Sequence, residues 1–382
     1  MTLENRLLIG PDLKFNNFDL LRFLLAVTVI FSHWFVIYYG KGIDTELFMI
    51  FSKNQIDLGS VAVNGFFIIS GFLIVHSYKH STSFLSYLKK RILRIYPGFF
   101  VAFILSVLIL GPLGTFDIDH PSGNITLYLH SLRKKLLLLN LFSMQAPIAI
   151  RCFMTTPLPN QINESLWTIQ YEFICYLAVP IFAYLGIFKK KWVAIALFLL
   201  SYVVLTLQDS ARLFLWEDYS GKLISTPQYM PRFFVYFLAG TCVYLFRHKI
   251  ARSNWLVALS IISLILACVW FKGFNLVAPF SLTYLLFYVA YFPHFRFTKF
   301  TKHGDFSYGI YLYAWPIQQL VMLFIGKEAN LFTLFILSMA ITLVAAYASW
   351  RFVEKPFLQL KDHPTRFSFM NWSKLIALGA KR

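Results

Sequence analysis

The chain has 382 residues, of which 58% are hydrophobic, 19% aromatic and only 14% charged. A soluble domain cannot cover that much apolar side chain, so lipid must be the solvent for much of it. The net charge of +18 invites a nucleic-acid reading, but 42 Phe make a lipid-facing composition rather than a base-stacking platform, and no nucleic-acid partner is expected.

Apolar runs of roughly 17–25 residues, the length that crosses a bilayer as a helix, fall at about 18–38, 59–78, 97–113, 165–187, 192–208, 229–246, 255–271, 274–292, 306–325 and 331–352. They predict an all-α, polytopic integral membrane bundle of about ten transmembrane helices. The first run is too long for a cleaved signal peptide and lacks a small-residue cleavage site, so it is expected to stay as the first anchor. With the N-terminus cytoplasmic, the inner segments collect Lys79, Lys89, Lys90, Arg91, Arg94, the run Lys189, Lys190, Lys191, then Arg247, Lys249, Arg252, Arg296, Lys299, Lys302 and the tail from Arg351. That gives about 23 basic residues inside against about 10 outside, which puts both termini in the cytoplasm. One cluster, Arg133, Lys134 and Lys135 in the loop 114–164, breaks the pattern and suits an interfacial helix. Residues 1–360 read as one membrane domain. The tail 361–382 is short, basic and aromatic, which suits a helix on the anionic inner leaflet or, equally, disorder. Cys152, Cys175, Cys242 and Cys268 make no CxxC and no Cys/His spacing, so neither a disulfide framework nor a metal is expected.

The first span, FDLLRFLLAVTVIFSHWFVIYYG, carries Asp19, Arg22 and His33, groups that a bilayer penalises by roughly 2.5 kcal/mol or more each near its centre. At 100° per residue Arg22 and His33 lie within about 20° of each other and roughly 16 Å apart along the axis, with Asp19 about 40–60° from both. All three therefore share a stripe expected to face the bundle interior. Position alone leaves a satisfied histidine and a snorkelling arginine open; two ionisable groups on one stripe favour a functional site.

In the second span, VAVNGFFIISGF sets Asn64 at a depth comparable to His33 and Ser70 deeper, while Gly65, Ser70 and Gly71 would allow close helix approach. The segment SYLKKRILRIYPGFF puts Arg91 and Arg94 at i, i+3, with Pro97 opening the next helix; this is either a topology signal or a pair of guanidiniums suited to phosphate. The fourth span opens NESLWTIQYEF, with Ser165, Thr168 and Glu172 on one face. Glu172 and His33 fall at about 10 Å and 8 Å from the outer ends of their helices, so Glu172 is a candidate to orient the imidazole.

In this order, these stretches resemble the membrane acyltransferase-3 family, which O-acylates carbohydrates and related acceptors. Arg22, ten residues, then His33 is similar to its arginine–histidine motif, and NGFFIISGF to the block that follows. Arg91-x-x-Arg94-x-Tyr96-Pro97 resembles its basic loop, and Ser165-Leu166-Trp167-Thr168 with Glu172 its Ser-Leu-Trp-Thr block. Ser307-Tyr308 with Tyr311-Leu312 and Pro316, and Phe352-Val353-Glu354-Lys355-Pro356, resemble its two C-terminal blocks. One departure stands out. Many members carry a histidine where this chain has Ala314, and Gln318 and Gln319 follow Pro316.

The resemblance implies a cytoplasmic acyl-CoA donor, usually acetyl-CoA, and no metal. It also implies a carbohydrate or lipid-linked glycan acceptor (O-antigen, lipopolysaccharide or exopolysaccharide) on the outer side of a bacterial inner membrane. On that reading His33 is the catalytic centre, as general base or as acyl carrier, with Glu172 or Asp19 orienting charge. Arg22, Arg91 and Arg94 would bind the donor. Asn64, Ser70, Ser165, Trp167, Thr168, Tyr308 and Tyr311 would line the acceptor path. The competing class is a polytopic transporter or lipid-glycan flippase, which also needs buried polar groups but releases no CoA.

Overall fold

The computed structural model describes residues 7–9, 16–40, 43–116, 124–147, 151–211, 224–292, 297, 300 and 304–362. Among these, nine helices are long and apolar enough to cross a bilayer: α1 Phe18–Tyr39, α2 Leu58–Lys79, α3 Phe84–Leu113, α4 Glu164–Tyr184, α5 Lys191–Gln208, α6 Pro227–Phe246, α7 Asn254–Phe271, α9 Ser307–Ile325 and α10 Leu331–Gln359. The tenth expected span is the shorter α8, Phe274–Ala290. The basic tail from residue 363 lies outside the described residues, as do Arg296, Lys299 and Lys302.

Two boundaries differ from expectation for local reasons. Pro97 does not open α3: it sits inside it, and the basic segment expected as a loop is the helix's first half. Ser83 starts that helix, its hydroxyl accepting from the Ser86 N–H, and nothing between Phe84 and Tyr96 breaks it. The proline then costs only one backbone hydrogen bond, which membrane helices tolerate. At the other end of the chain α10 does not stop near residue 352. A π-turn over Trp350–Glu354 carries it to Gln359 and turns Glu354 inward.

Lipid offers no hydrophobic drive for helix association, so packing and interhelical hydrogen bonds must hold the bundle. The tightest seam is α2 on α6. A Cβ added at Gly71 would collide with the Phe237 carbonyl, and one at Gly240 with the Ile68 carbonyl, so the two glycines let the backbones touch. Phe67 stacks on Phe233 at 4.4 Å beside them. Of the other small residues expected at that seam, Gly65 faces the Leu25 side chain and Ser70 points elsewhere. Interhelical polar ties include Trp34 Nε1 to Ser338 Oγ at 2.8 Å and Gln318 Nε2 to the Ile30 carbonyl at 2.8 Å. Helices α9 and α2 are the most buried, and α5 and α7 the least. The outer helices turn Leu199, Leu200, Val203, Leu259, Ile262 and Ile265 outward, as lipid-facing surfaces should.

One end of the bundle is basic. The charges of Arg247, just after α6, and Lys191, at the start of α5, reach Lys79 at the end of α2, and the start of α1 is tied to the end of α8 by Asn17 N–H to the Ala290 carbonyl. At the far end the segment 151–163 packs on α9. Gln319 donates to the carbonyls of Leu158 and Gln161, and Asn163 donates to that of Leu312. Helices Ile125–Ser131 and Lys134–Ser143 lie in this loop, with Arg133, Lys134 and Lys135 exposed. Cys152, Cys175 and Cys268 are buried, and all four cysteines are free thiols.

Candidate active site

A cleft opens into the bundle. Its floor, near the basic end, is formed by Arg22, Arg94, Ser307 and Tyr308; Ser70, Glu172 and Tyr176 follow, and Thr168, Tyr311 and Phe66 close the top. Seven of the expected site residues therefore converge here: Arg22, Arg94, Ser70, Glu172, Thr168, Tyr308 and Tyr311.

The floor is an ionic cluster centred on a residue that motif reasoning passed over. Asp305 accepts from Arg22 at 3.1 Å and from Arg94, while its other oxygen accepts from the Ser307 hydroxyl and, at 3.2 Å, from the Ser307 N–H. Arg94 also lies 3.8 Å from Glu354, which the π-turn of α10 delivers. Burial alone would push the Asp305 carboxyl up, but Arg22 and Arg94 outweigh it and hold the group well below the usual carboxylate range. The signal for Asp305 was faint: it stands two residues before the Ser307-Tyr308 block.

Arg91 does not share this cluster. Its guanidinium donates to Ser77 at 3.1 Å and lies over the rings of Tyr87 and Tyr176, so the expected pair splits, with only Arg94 lining the cleft. Glu172 likewise departs from expectation. Its Oε1 accepts from Ser70 at 3.1 Å and from Tyr176, and the carboxylate whose charge reaches His33 is instead Asp57. Asp57 is the N-cap of α2, accepting from the Ser60 N–H at 2.7 Å and from Ser32 at 3.4 Å. Chain depth suggested Glu172, but depth does not say which way a side chain points. Asp19 is exposed rather than interior. It stands in the first turn of α1, where the helix dipole favours an acid at the surface.

His33 lies outside the cleft lining. Its ring meets Trp315 edge-on at 4.8 Å, and its Nδ1 is buried with no protein partner. Trp315 stands four residues after Tyr311, about one helical turn farther from the basic end. Asn64 is buried, its Oδ1 accepting from Arg232 Nε at 2.9 Å. Arg232, on α6, was not anticipated. Trp167 packs against Tyr171, Tyr229 and Phe233 rather than lining the cleft, and Ser165 is buried with its hydroxyl unpaired. Tyr308 donates to the Ile95 carbonyl at 2.8 Å, and Tyr311 pairs with Thr168 across the top of the cleft. Among the described residues, no cluster of His, Cys, Asp and Glu could hold a metal ion.

Comparison with known proteins gives the family. The acyltransferase domain of the acyltransferase-3 family matches residues 15–351. An O-acetyl transferase of Shigella phage Sf6 is 30% identical over 90% of this chain and 96% of its own. Nodulation protein 10 of Rhizobium leguminosarum bv. viciae is 27% identical over 91% and 94%. No solved structure matches. With its multi-pass helical bundle and a family match that runs from before Arg22 to Arg351, the chain belongs to the acyltransferase-3 family.

Proposed function

We propose that this acyltransferase moves an acyl group, acetyl first among candidates, from cytoplasmic acyl-CoA to a hydroxyl of a cell-surface carbohydrate reached from the far side. O-antigen, lipopolysaccharide and exopolysaccharide are the acceptors in view. The carrying observation is the cleft, which begins at two guanidiniums near the basic end and rises to Tyr311, about one helical turn short of Trp315 and its contact His33. Excess positive charge favours that basic end lying inside a bacterial inner membrane, and the name of the phage relative favours acetyl.

On this reading Arg22 and Arg94 receive the donor's phosphates, and Asp305 keeps the two side chains converged until they arrive. Arg91 adds positive field from beside the cleft. The acyl end extends past Ser70 and Glu172 to the Thr168–Tyr311 pair. His33 then works in one of two ways. As base, it takes the acceptor hydroxyl's proton while that oxygen bonds to the acyl carbon, the C–S bond breaks, and the thiolate leaves to be protonated. As carrier, its nitrogen bonds to the acyl carbon as the C–S bond breaks and CoA leaves; the acceptor oxygen then bonds to that carbon as the N–C bond breaks, and the freed imidazole nitrogen takes the hydroxyl proton. Asn64, Ser165 and Trp167, all toward the far end, suit contacts with the acceptor.

The test is mass spectrometry of surface glycans from cells with the intact chain, without it, and with His33→Ala, alongside CoA release from acetyl-CoA by isolated membranes. An acetyl-sized increment and CoA release only with the intact chain supports the reading. Neither signal would return the protein to the transport class.

A further inference from the structure

Where α9 faces α1, three polar atoms are buried without a protein partner: His33 Nδ1 on α1, and Trp315 Nε1 and Gln318 Oε1 on α9. Trp315 is 5% exposed and Gln318 0%. Buried polar groups are normally paired, and leaving one unpaired costs about 1–3 kcal/mol. The Trp315 ring is in contact with His33, and Gln318 donates its amide to the carbonyl of Ile30, one turn before His33. That bond fixes the amide on the wall of α1 that carries His33, and with it the direction of its free oxygen. At 100° per residue, Tyr308, Tyr311, Trp315 and Gln318 fall within about 80° of one another on α9. The face that lines the cleft therefore continues to this cluster.

The chemistry of the three atoms is complementary: one N–H donor, one carbonyl acceptor and one imidazole nitrogen, with no net charge. We propose that Trp315 and Gln318 complete the acyl-transfer site around His33, Trp315 as oxyanion donor and Gln318 as acceptor-recognition group. This rests on the reading of His33 as the reacting centre. As the acceptor oxygen bonds to the acyl carbon and His33 takes its proton, the carbonyl oxygen gains negative charge and receives the indole N–H. When the C–S bond breaks, the carbonyl re-forms and the thiolate takes a proton to leave as the thiol. The Gln318 oxygen accepts from a second hydroxyl of the acceptor, so the site selects carbohydrates with a hydroxyl near the reacting one. Trp315→Phe removes the indole N–H together with part of the ring's volume at a buried position, so the melting temperature is needed to separate lost packing from the lost donor.

The experiment is steady-state kinetics of CoA release from acetyl-CoA and glycan by the full chain in membrane vesicles, with melting temperature recorded for each variant. Trp315→Phe is expected to lower kcat by about 10²–10³-fold, the usual loss for one oxyanion donor, with the acetyl-CoA KM and melting temperature near wild type. Gln318→Leu is expected to raise the acceptor KM most. Trp315→Phe that melts early but keeps wild-type kcat per folded protein would overturn the inference and leave Trp315 a packing residue. Absence of CoA release by the wild type would overturn both this inference and the proposed function; an active wild type with an equally active Trp315→Phe would overturn this one alone.

Discussion

The two ends of the Arg22–His33 stripe solve the problem of buried polarity in opposite ways. At the basic end, ions are paired: Arg22 and Arg94 on Asp305, with Glu354 behind. On the His33 side, three neutral polar atoms are left open: His33 Nδ1, Trp315 Nε1 and Gln318 Oε1. A closed ion cluster holds groups in fixed positions, and breaking it strands charge in low dielectric. An open neutral cluster costs stability in the empty protein, a cost that a bound substrate would offset. On the proposed reading, the first end positions and the second reacts.

That contrast can be broken. The largest expected effect is at the open end: His33→Ala should cost about 10³-fold or more in CoA release, near the upper range for a general base, with only a modest fall in melting temperature, since Nδ1 makes no bond and the edge contact with Trp315 is what is lost. A large loss of folded protein would move His33 to the positioning side. At the closed end the order reverses, since Asp305→Ala takes the ion partner from Arg22 and leaves Arg94 only the longer contact with Glu354; it is expected to destabilise by about 3–5 kcal/mol, read as a lower melting temperature. Acid titration sharpens the same point. Arg22 and Arg94 hold Asp305 below its ordinary value of 3.8, so its contribution to stability is complete above that value and is lost as pH falls further. Asp305→Asn should flatten that acid limb.

Between the two comes Arg94→Ala, expected to raise the acyl-CoA KM by about 10–100-fold if its charge-assisted bonds reach donor phosphate. Arg91→Ala should do less, because that side chain lies against Ser77 and two tyrosine rings; equal effects would mean that the cleft does not separate them. The smallest effect is expected from Glu172→Gln. Ser70 and Tyr176 both donate to one oxygen, which glutamine keeps, so melting should barely change while loss of a negative charge from the cleft lowers the donor KM a few-fold.

Much of this molecule was legible in the sequence because a bilayer enforces simple rules. Spans must be long and apolar, and cations collect on one side; an Arg and a His eleven residues apart on one helix share a face whatever surrounds them. Gly71 announced a close approach that Gly240 completes from α6. What the sequence could not fix was partnership across helices, because axial depth is linear in residue number but the direction of a side chain depends on how neighbouring helices turn. Glu172 and His33 match in depth, yet Glu172 faces Ser70 and Tyr176. Asp305 and Glu354 reach Arg94 from sequence separations of 211 and 260, the second through a π-turn that no periodicity announces. Residue pattern alone was enough for the solvent, the spans and the shared face of Arg22 and His33. Only the tertiary structure decided which charges close on one another and which polar atoms stay open, because that depends on the rotation of each helix against its neighbours.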